Sequence, residues 1–331
     1  MDRRMETDER IVVFGEDVHR LGGGTNGATK GLAKYGDERV IGTPPISENA
    51  FTGVGGGLAL DGRFRPVVEF MYPDFMWVAA DQVFNQIGKA RHMFGGGENP
   101  VPFVLRTKVA MGSGYGSQHL MDPAGVFSSS PGWRIVAPST AADYVGLMNA
   151  ALALQDPVLV IEHIDLYAKA DEVPEGDLDY VIPPGNAAVR RRGGTEVTVI
   201  SYLSMVARCV EAIEQTGGVD AELVDLRWLD RASIDWDTIA ASVKKTNAVL
   251  IVEQGGAGQF LWRVVGRRDS AAVVRLAGPT RRASLGRGGG LAEYLEGVGA
   301  SRDCRHRGSR RRPGKDQSRH GTARDERNDG K

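Results

Sequence analysis

Short apolar runs recur along the first half of the chain and alternate with longer stretches that have apolar residues at helical spacing. Runs that are apolar throughout, rather than alternating, belong to strands buried on both faces. The alternation therefore predicts a parallel α/β sheet covered by helices on both sides. Strands are expected at 11–14, 40–41, 66–70, 102–106, 134–137 and 157–162, and helices at 48–60, 75–92 and 140–154. The last helix opens on Pro138-Ser139-Thr140-Ala141-Ala142-Asp143, a hydroxyl cap with an acid three residues on.

The pattern stops from 169 to 194, a stretch rich in Pro, Gly, Asp and Arg that reads as a linker. A second, smaller α/β unit follows, with strands at 196–203, 221–226 and 248–253, a further one at 271–276, and helices at 205–215 and 235–243. The expected organisation is a first domain at 1–168, the linker at 169–194, a second domain at 195–280, and a tail at 281–331. That tail is Arg/Gly/Asp-rich, almost without apolar periodicity, and reads as disordered. A solvated tail is the plain reading and a change of reading frame the second. The lack of interleaved aromatics weighs against a nucleic-acid-binding arm.

Composition changes this picture little. The 331 residues suit two ordinary domains, and 41% hydrophobic with 25% charged residues is normal for a globular protein. The formal net charge of -1 offers no global attraction to nucleic acid or a membrane surface. It hides a basic end, where 301–331 holds 11 Lys and Arg against 5 Asp and Glu. Two cysteines, Cys209 and Cys304, make no disulfide framework and fit a reducing cytoplasm. The first residues contain no apolar run of a secretory signal, and no stretch approaches the roughly 20 apolar residues of a membrane span.

The segment Thr43-Pro44-Pro45-Ile46-Ser47-Glu48-Asn49-Ala50-Phe51-Thr52-Gly53-Val54-Gly55 carries the most chemistry. Ser47 is a helix cap and places Glu48 where a strand hands over to a helix, at the mouth of a parallel sheet. Alone, Glu48 reads as a helix-start acid worth about 0.3–1 kcal/mol. His119 closes the glycine-rich stretch Met111-Gly112-Ser113-Gly114-Tyr115-Gly116-Ser117-Gln118, and a loop histidine is suited to proton traffic near neutrality. His19, His92 and His163 lack ligand spacing, the Gly-rich runs lack the Lys-Ser/Thr ending of a phosphate loop, and no Cys/His cluster suggests zinc.

Further segments agree with these in order. They are Val13-Phe14-Gly15-Glu16-Asp17-Val18, Arg65-Pro66-Val67-Val68-Glu69-Phe70-Met71, Asp74-Phe75, Asp81-Gln82, Ser117-Gln118-His119, Arg134-Ile135-Val136-Ala137-Pro138-Ser139 and Asp156-Pro157-Val158-Leu159. In the second unit they are Val197-Thr198-Val199-Ile200-Ser201-Tyr202 and Val224-Asp225-Leu226-Arg227. Together, over roughly 10–253, they resemble the beta subunit of the thiamine-diphosphate-dependent first component of 2-oxo acid dehydrogenases, pyruvate or branched-chain type, within the transketolase-like superfamily. The resemblance implies a pyrimidine-binding domain with a parallel sheet, then a smaller transketolase C-terminal-type α/β domain.

By the same resemblance, Glu48 hydrogen-bonds the aminopyrimidine of thiamine diphosphate, Phe75 stacks on that ring and Met71 lies beside it. His119 faces the thiazolium end and helps position the 2-oxo acid or an incoming lipoyl group. Such enzymes bind the diphosphate through a divalent metal on a Gly-Asp-Gly segment, and this chain has no match for it. Mg2+ is then expected on an alpha subunit, in a heterotetramer of two alpha and two beta chains. A lipoyl-bearing acyltransferase is the further partner, and whether K+ also stabilises the subunit is open. Acetoin cleavage, the C-terminal half of a split transketolase or deoxyxylulose-phosphate synthase, and a non-catalytic assembly subunit are the alternatives. There are three departures from the family: only Met1 to Asp8 stands for the helix before the first strand, Leu120 replaces a serine, and the match fades after Gln254.

Overall fold

In a computed structural model, residues 1–254 are described apart from 21, 43 and 95–97, together with the strand Val273–Leu276. Two sheets result. The elements of the first are α1 (Asp2–Thr7), β1 (Ile11–Phe14), β2 (Val40–Ile41), α2 (Glu48–Asp61) and β3 (Arg65–Phe70), then α3 (Gly88–Met93), β4 (Val104–Val109) and α4 (Ala124–Ser129). β5 (Arg134–Val136), α5 (Ala141–Ala153), β6 (Val158–His163) and α6 (Ile164–Tyr167) complete it. The strand order is β2-β1-β3-β4-β6-β5, with every pairing parallel. All residues of β1, β4 and β6 are buried; β1 is apolar throughout, while β4 and β6 start apolar and end on polar residues. Thr140 caps α5 by accepting from Asp143 N at 3.1 Å.

The second sheet contains β7 (Ala188–Arg191), β8 (Val197–Ser201), β9 (Ala221–Asp225), β10 (Val249–Val252) and β11 (Val273–Leu276), with helices α7 (Ser204–Thr216) and α8 (Trp236–Thr246). Its order is β11-β10-β8-β9-β7, parallel except for β7, which runs antiparallel to β9. β7 therefore lies inside the stretch read as a linker at 169–194. Polar Arg190 and Arg191 hide it from a hydrophobicity pattern, yet Arg190 is paired with buried Asp143 and with Asp225 at 2.8 Å. The rest of that stretch is laid along α5, where Asn149 donates to the carbonyls of Leu178 and Tyr180 at 2.8 and 3.0 Å. The tail expected at 281–331 lies outside the described residues.

Two further differences have local causes. The helix expected at 75–92 is instead a 3-10 turn (Pro73–Trp77), a π-helical turn (Asp81–Ile87) and α3. Trp133 explains this: its indole N–H donates to Val83 O at 3.1 Å, and Gly88 N–H reaches the same carbonyl across five residues. A Cβ on Gly88 would stand 2.8 Å from that indole nitrogen. The strand expected to end at 106 continues to Val109, because the polar run Arg106-Thr107-Lys108 is buried among neighbouring carboxylates.

One apolar cluster joins the sheets, with Phe103, Leu105 and Ile135 from the first and Ile200, Tyr202 and Leu226 from the second. The edge strand β5 is sealed by the second unit: Ala137 N donates to Arg227 O at 2.9 Å and Leu229 N to Ile135 O at 2.8 Å. Among the described residues no helix is long and apolar enough to cross a membrane.

Candidate active site

Parallel strands present all their C-terminal ends at one edge, and β2, β1, β3 and β4 are consecutive neighbours. The loops leaving them carry, in that order, Glu48, Glu16, the Met71–Phe75 segment and His119. Glu48 is the first residue of α2, only 7% exposed, with Ser47 accepting from Ala50 N at 3.3 Å. Glu16 follows β1. Its carboxyl is raised above the usual range by burial and then by the charges of Glu48 and Asp17. Two acids thus share one poorly solvated corner.

Beyond β3, Met71 is half-buried and Tyr72 buried, and Phe75 sits in the 3-10 turn. His119 meets both rings edge-on, with centroids 4.7 Å from Tyr72 and 5.5 Å from Phe75. Tyr115 closes the group at 5.8 Å from Tyr72. Phe75 and His119 are therefore brought together directly. Glu48 lies along the same rim, beyond β1, beside Glu16.

Glu16 was quoted above only within a motif, and Tyr72, Tyr115 and Asp74 carried no expectation of their own. The signal for Tyr72 was local, an aromatic two residues past an apolar strand and immediately before Pro73. Asp74 ties the histidine loop down, accepting from Met121 N at 3.1 Å.

Behind the aromatics lies a buried ion quartet. Arg106 donates twice to Glu162, at 2.9 and 2.7 Å, and also to Glu69. Lys108 stands 3.6 Å from Glu69 and 5.3 Å from the Tyr72 ring centroid. Burial lowers the Lys108 ammonium below its ordinary value, although Glu69 pulls the other way. The quartet is charge-neutral, which is what lets it form the floor of a site.

Three buried polar atoms on the rim have no hydrogen-bond partner among the described residues: Glu16 Oε1, Thr52 Oγ1 and His119 Nδ1. Unpaired buried polar atoms fit a ligand that brings its own hydrogen-bonding groups, so the Glu16 and Thr52 atoms suit the aminopyrimidine half of thiamine diphosphate and the His119 nitrogen its other end. No group of three or more His, Cys, Asp and Glu able to hold a metal occurs among the described residues. A cavity of about 500 Å³ lies elsewhere, lined by Ser139, Tyr144, Glu162, His163 and Tyr167. His163 and Glu162 there are already hydrogen-bonded within the protein.

Comparison with known proteins places this geometry. Residues 1–169 match the family model for the transketolase pyrimidine-binding domain, and 185–295 that for the transketolase C-terminal domain. The acetoin:2,6-dichlorophenolindophenol oxidoreductase beta subunit of Cupriavidus necator is 40% identical over 266 residues, covering 77% of this chain and 76% of its own. The mitochondrial pyruvate dehydrogenase E1 beta subunit of Homo sapiens is 38% identical over 265 residues, covering 78% and 72%. A solved split-gene transketolase, described as an inactive beta4 tetramer, superposes with a TM-score of 0.70 at 20% identity, over 90% of this chain and 93% of that one. That likeness speaks for the fold. The chain belongs to the transketolase-like enzymes, in the family of pyruvate dehydrogenase E1 and acetoin dehydrogenase beta subunits.

Proposed function

We propose that this chain, paired with an alpha subunit, decarboxylates a 2-oxo acid on thiamine diphosphate and passes the acyl group, with reduction, to a lipoyl arm. The observation that carries the reading is the strand-end rim on which Glu48 and Glu16 adjoin and Phe75 meets His119. When bound, thiamine diphosphate supplies a carbon nucleophile that stabilises the charge left by decarboxylation. The chain's own residues prepare the site for it. Glu48 would hydrogen-bond a pyrimidine ring nitrogen of the bound cofactor and so favour the basic tautomer of the aminopyrimidine. Its neighbour Glu16, whose carboxyl is raised by burial and by the charges of Glu48 and Asp17, lines the same corner. Phe75 and Met71 give the ring a flat apolar seat, and His119 orients the carboxylate or carbonyl of the substrate at the other end.

Mg2+ and the diphosphate are assigned to the alpha subunit, in an α2β2 assembly that a lipoyl-bearing acyltransferase approaches from outside. A reducing, cytoplasmic setting agrees with the two cysteines. Acetoin cleavage is the second reading, favoured by the 40% identity to an acetoin oxidoreductase subunit.

The test is reduction of an artificial electron acceptor by the co-expressed alpha–beta pair with thiamine diphosphate and Mg2+. Pyruvate, a branched-chain 2-oxo acid and acetoin would be offered in turn, with Glu48→Gln as control. Turnover of an oxo acid that disappears in the control supports the leading reading. Turnover of acetoin alone selects the second. An assembled complex that acts on none of the three refutes both.

A further inference from the structure

We propose that the second domain positions His119, through a hydrogen bond from Tyr202 to Asp122. The loop before His119 does not hold itself. Residues 112–118 are exposed, and Gly112, Gly114 and Gly116 have φ of +89, +82 and +88, where an added Cβ would meet nothing within 4 Å. Its own backbone bonds are two turns, Ser113 N to Ala110 O at 3.0 Å and His119 N to Gly116 O at 3.3 Å. Such a segment loses much conformational entropy if it is to keep one shape.

The restraint comes immediately after the histidine. Met121 N donates to Asp74 Oδ2 at 3.1 Å, which ties the loop to the turn bearing Phe75. One residue on, Asp122 Oδ1 accepts from Ala124 N at 2.9 Å and Oδ2 from the Tyr202 hydroxyl at 2.7 Å. Asp122 is 4% exposed and Tyr202 1%. Tyr202 directly follows β8, in the middle of the second sheet, so this bond crosses from one domain to the other. Burial raises the Asp122 carboxyl, and the bonds from Tyr202 and Ala124 work against that rise, so the pair is matched in a poorly solvated place. Asp74 and Tyr202 thus fix two consecutive residues of the segment that must keep His119 against Tyr72 and Phe75. Tyr202 and Asp122 are positioning residues: they act on the chemistry only through His119.

The kinetic arm of the test rests on the proposed function; the structural arm does not. Tyr202→Phe keeps the ring and the Asp122–Ala124 bond and removes the hydroxyl that bonds Asp122 across the domains. Asp122→Asn retains an acceptor for the hydroxyl and serves as the conservative variant. Amide hydrogen exchange would be measured on the full chain assembled with its alpha partner. Exchange of the hydrogen-bonded amides of Ser113, His119 and Met121 is expected to quicken on the order of tenfold in Tyr202→Phe, the value of one buried hydrogen bond, with α2 and β3 unchanged. Asp122→Asn should lie between that variant and the wild type.

Turnover of the preferred substrate should fall by a similar factor in Tyr202→Phe, while thiamine diphosphate affinity, read by fluorescence quenching, stays constant. Loop exchange equal to wild type overturns the proposal. So does a rise spread evenly over both domains, or a loss of cofactor affinity matching the loss of turnover, since each would mark a merely structural bond. If the wild-type pair turns over none of the substrates, the proposed function falls, and the exchange measurement alone decides the tether.

Discussion

Replacing Arg106 by methionine is the sharpest test of how the site's floor is held. The Arg106 side chain is 2% exposed and bridges Glu162, 2% exposed, and Glu69, 5% exposed. Without it, Glu69 still has Lys108 at 3.6 Å, and Glu162 still accepts from the Tyr144 hydroxyl at 3.0 Å and from Tyr167. One buried negative charge is left without a cation. Breaking a buried pair in this way costs about 3–5 kcal/mol, and the two tyrosine bonds place the expectation near the lower end.

The pH dependence follows from Glu162. Burial alone would raise its carboxyl, but Arg106 and the bonds from Arg106, Tyr167 and Tyr144 reverse that and keep it below its ordinary value. In the wild type it therefore contributes stability above its unfolded pKa, which is lost as pH falls through the lower folded value. In Arg106→Met burial wins, the folded value rises, and acidification relieves the variant instead. Urea unfolding of the full chain, followed by tryptophan fluorescence at neutrality and about two pH units lower, should show the gap to wild type narrowing. Arg106→Met/Glu162→Gln should recover part of the loss, because the orphaned charge is gone. A single variant within about 0.5 kcal/mol of wild type, as for an ordinary surface change, would refute the reasoning. A gap that widens on acidification would refute it equally.

Other expectations can be checked in parallel. Phe75→Ala should weaken thiamine diphosphate binding to the assembled pair about tenfold by calorimetry, and Phe75→Tyr should leave it near wild type. Glu16 has a raised carboxyl and so burdens the folded state above its unfolded pKa. Glu16→Gln should stabilise the cofactor-free chain at neutrality by under about 1 kcal/mol, the gain fading on acidification through the carboxylate range in thermal melts. Gly88→Ala should cost about 1–3 kcal/mol in the same melts, since its Cβ would press on Trp133 at 2.8 Å. Burial pushes the Cys209 thiol up to about 12, so in a Cys304→Ser chain a thiol reagent should label it only as the second domain opens. Prompt labelling of the native chain would contradict that burial.

The strands β1, β3 and β6 were legible because each contains a run of consecutive apolar residues, a local property of the sequence. Glu48 was legible for a related reason: a serine cap and a preceding apolar pair lie within a few positions of it. Short elements escaped, because α4 and α6 are no longer than two turns and carry no measurable period. The two ends of β4 show the limit most clearly. Its apolar start announced a strand. Its charged end looked like a terminus, until Glu69, 37 positions away from Arg106, and Glu162, 56 away, were brought beside it. The π turn before α3 likewise waits on Trp133, fifty positions beyond the carbonyl it takes. β7 waits on buried aspartates in α5 and β9 to pair its arginine. The sequence by itself determined where apolar chain must be buried and that Glu48 stands where a strand hands over to a helix, while the family resemblance added Met71, Phe75 and His119. Only the tertiary structure decided which charges can be buried, which helix must unwind and what restrains the His119 loop, because the energy of a buried polar group depends on partners that folding alone brings within reach.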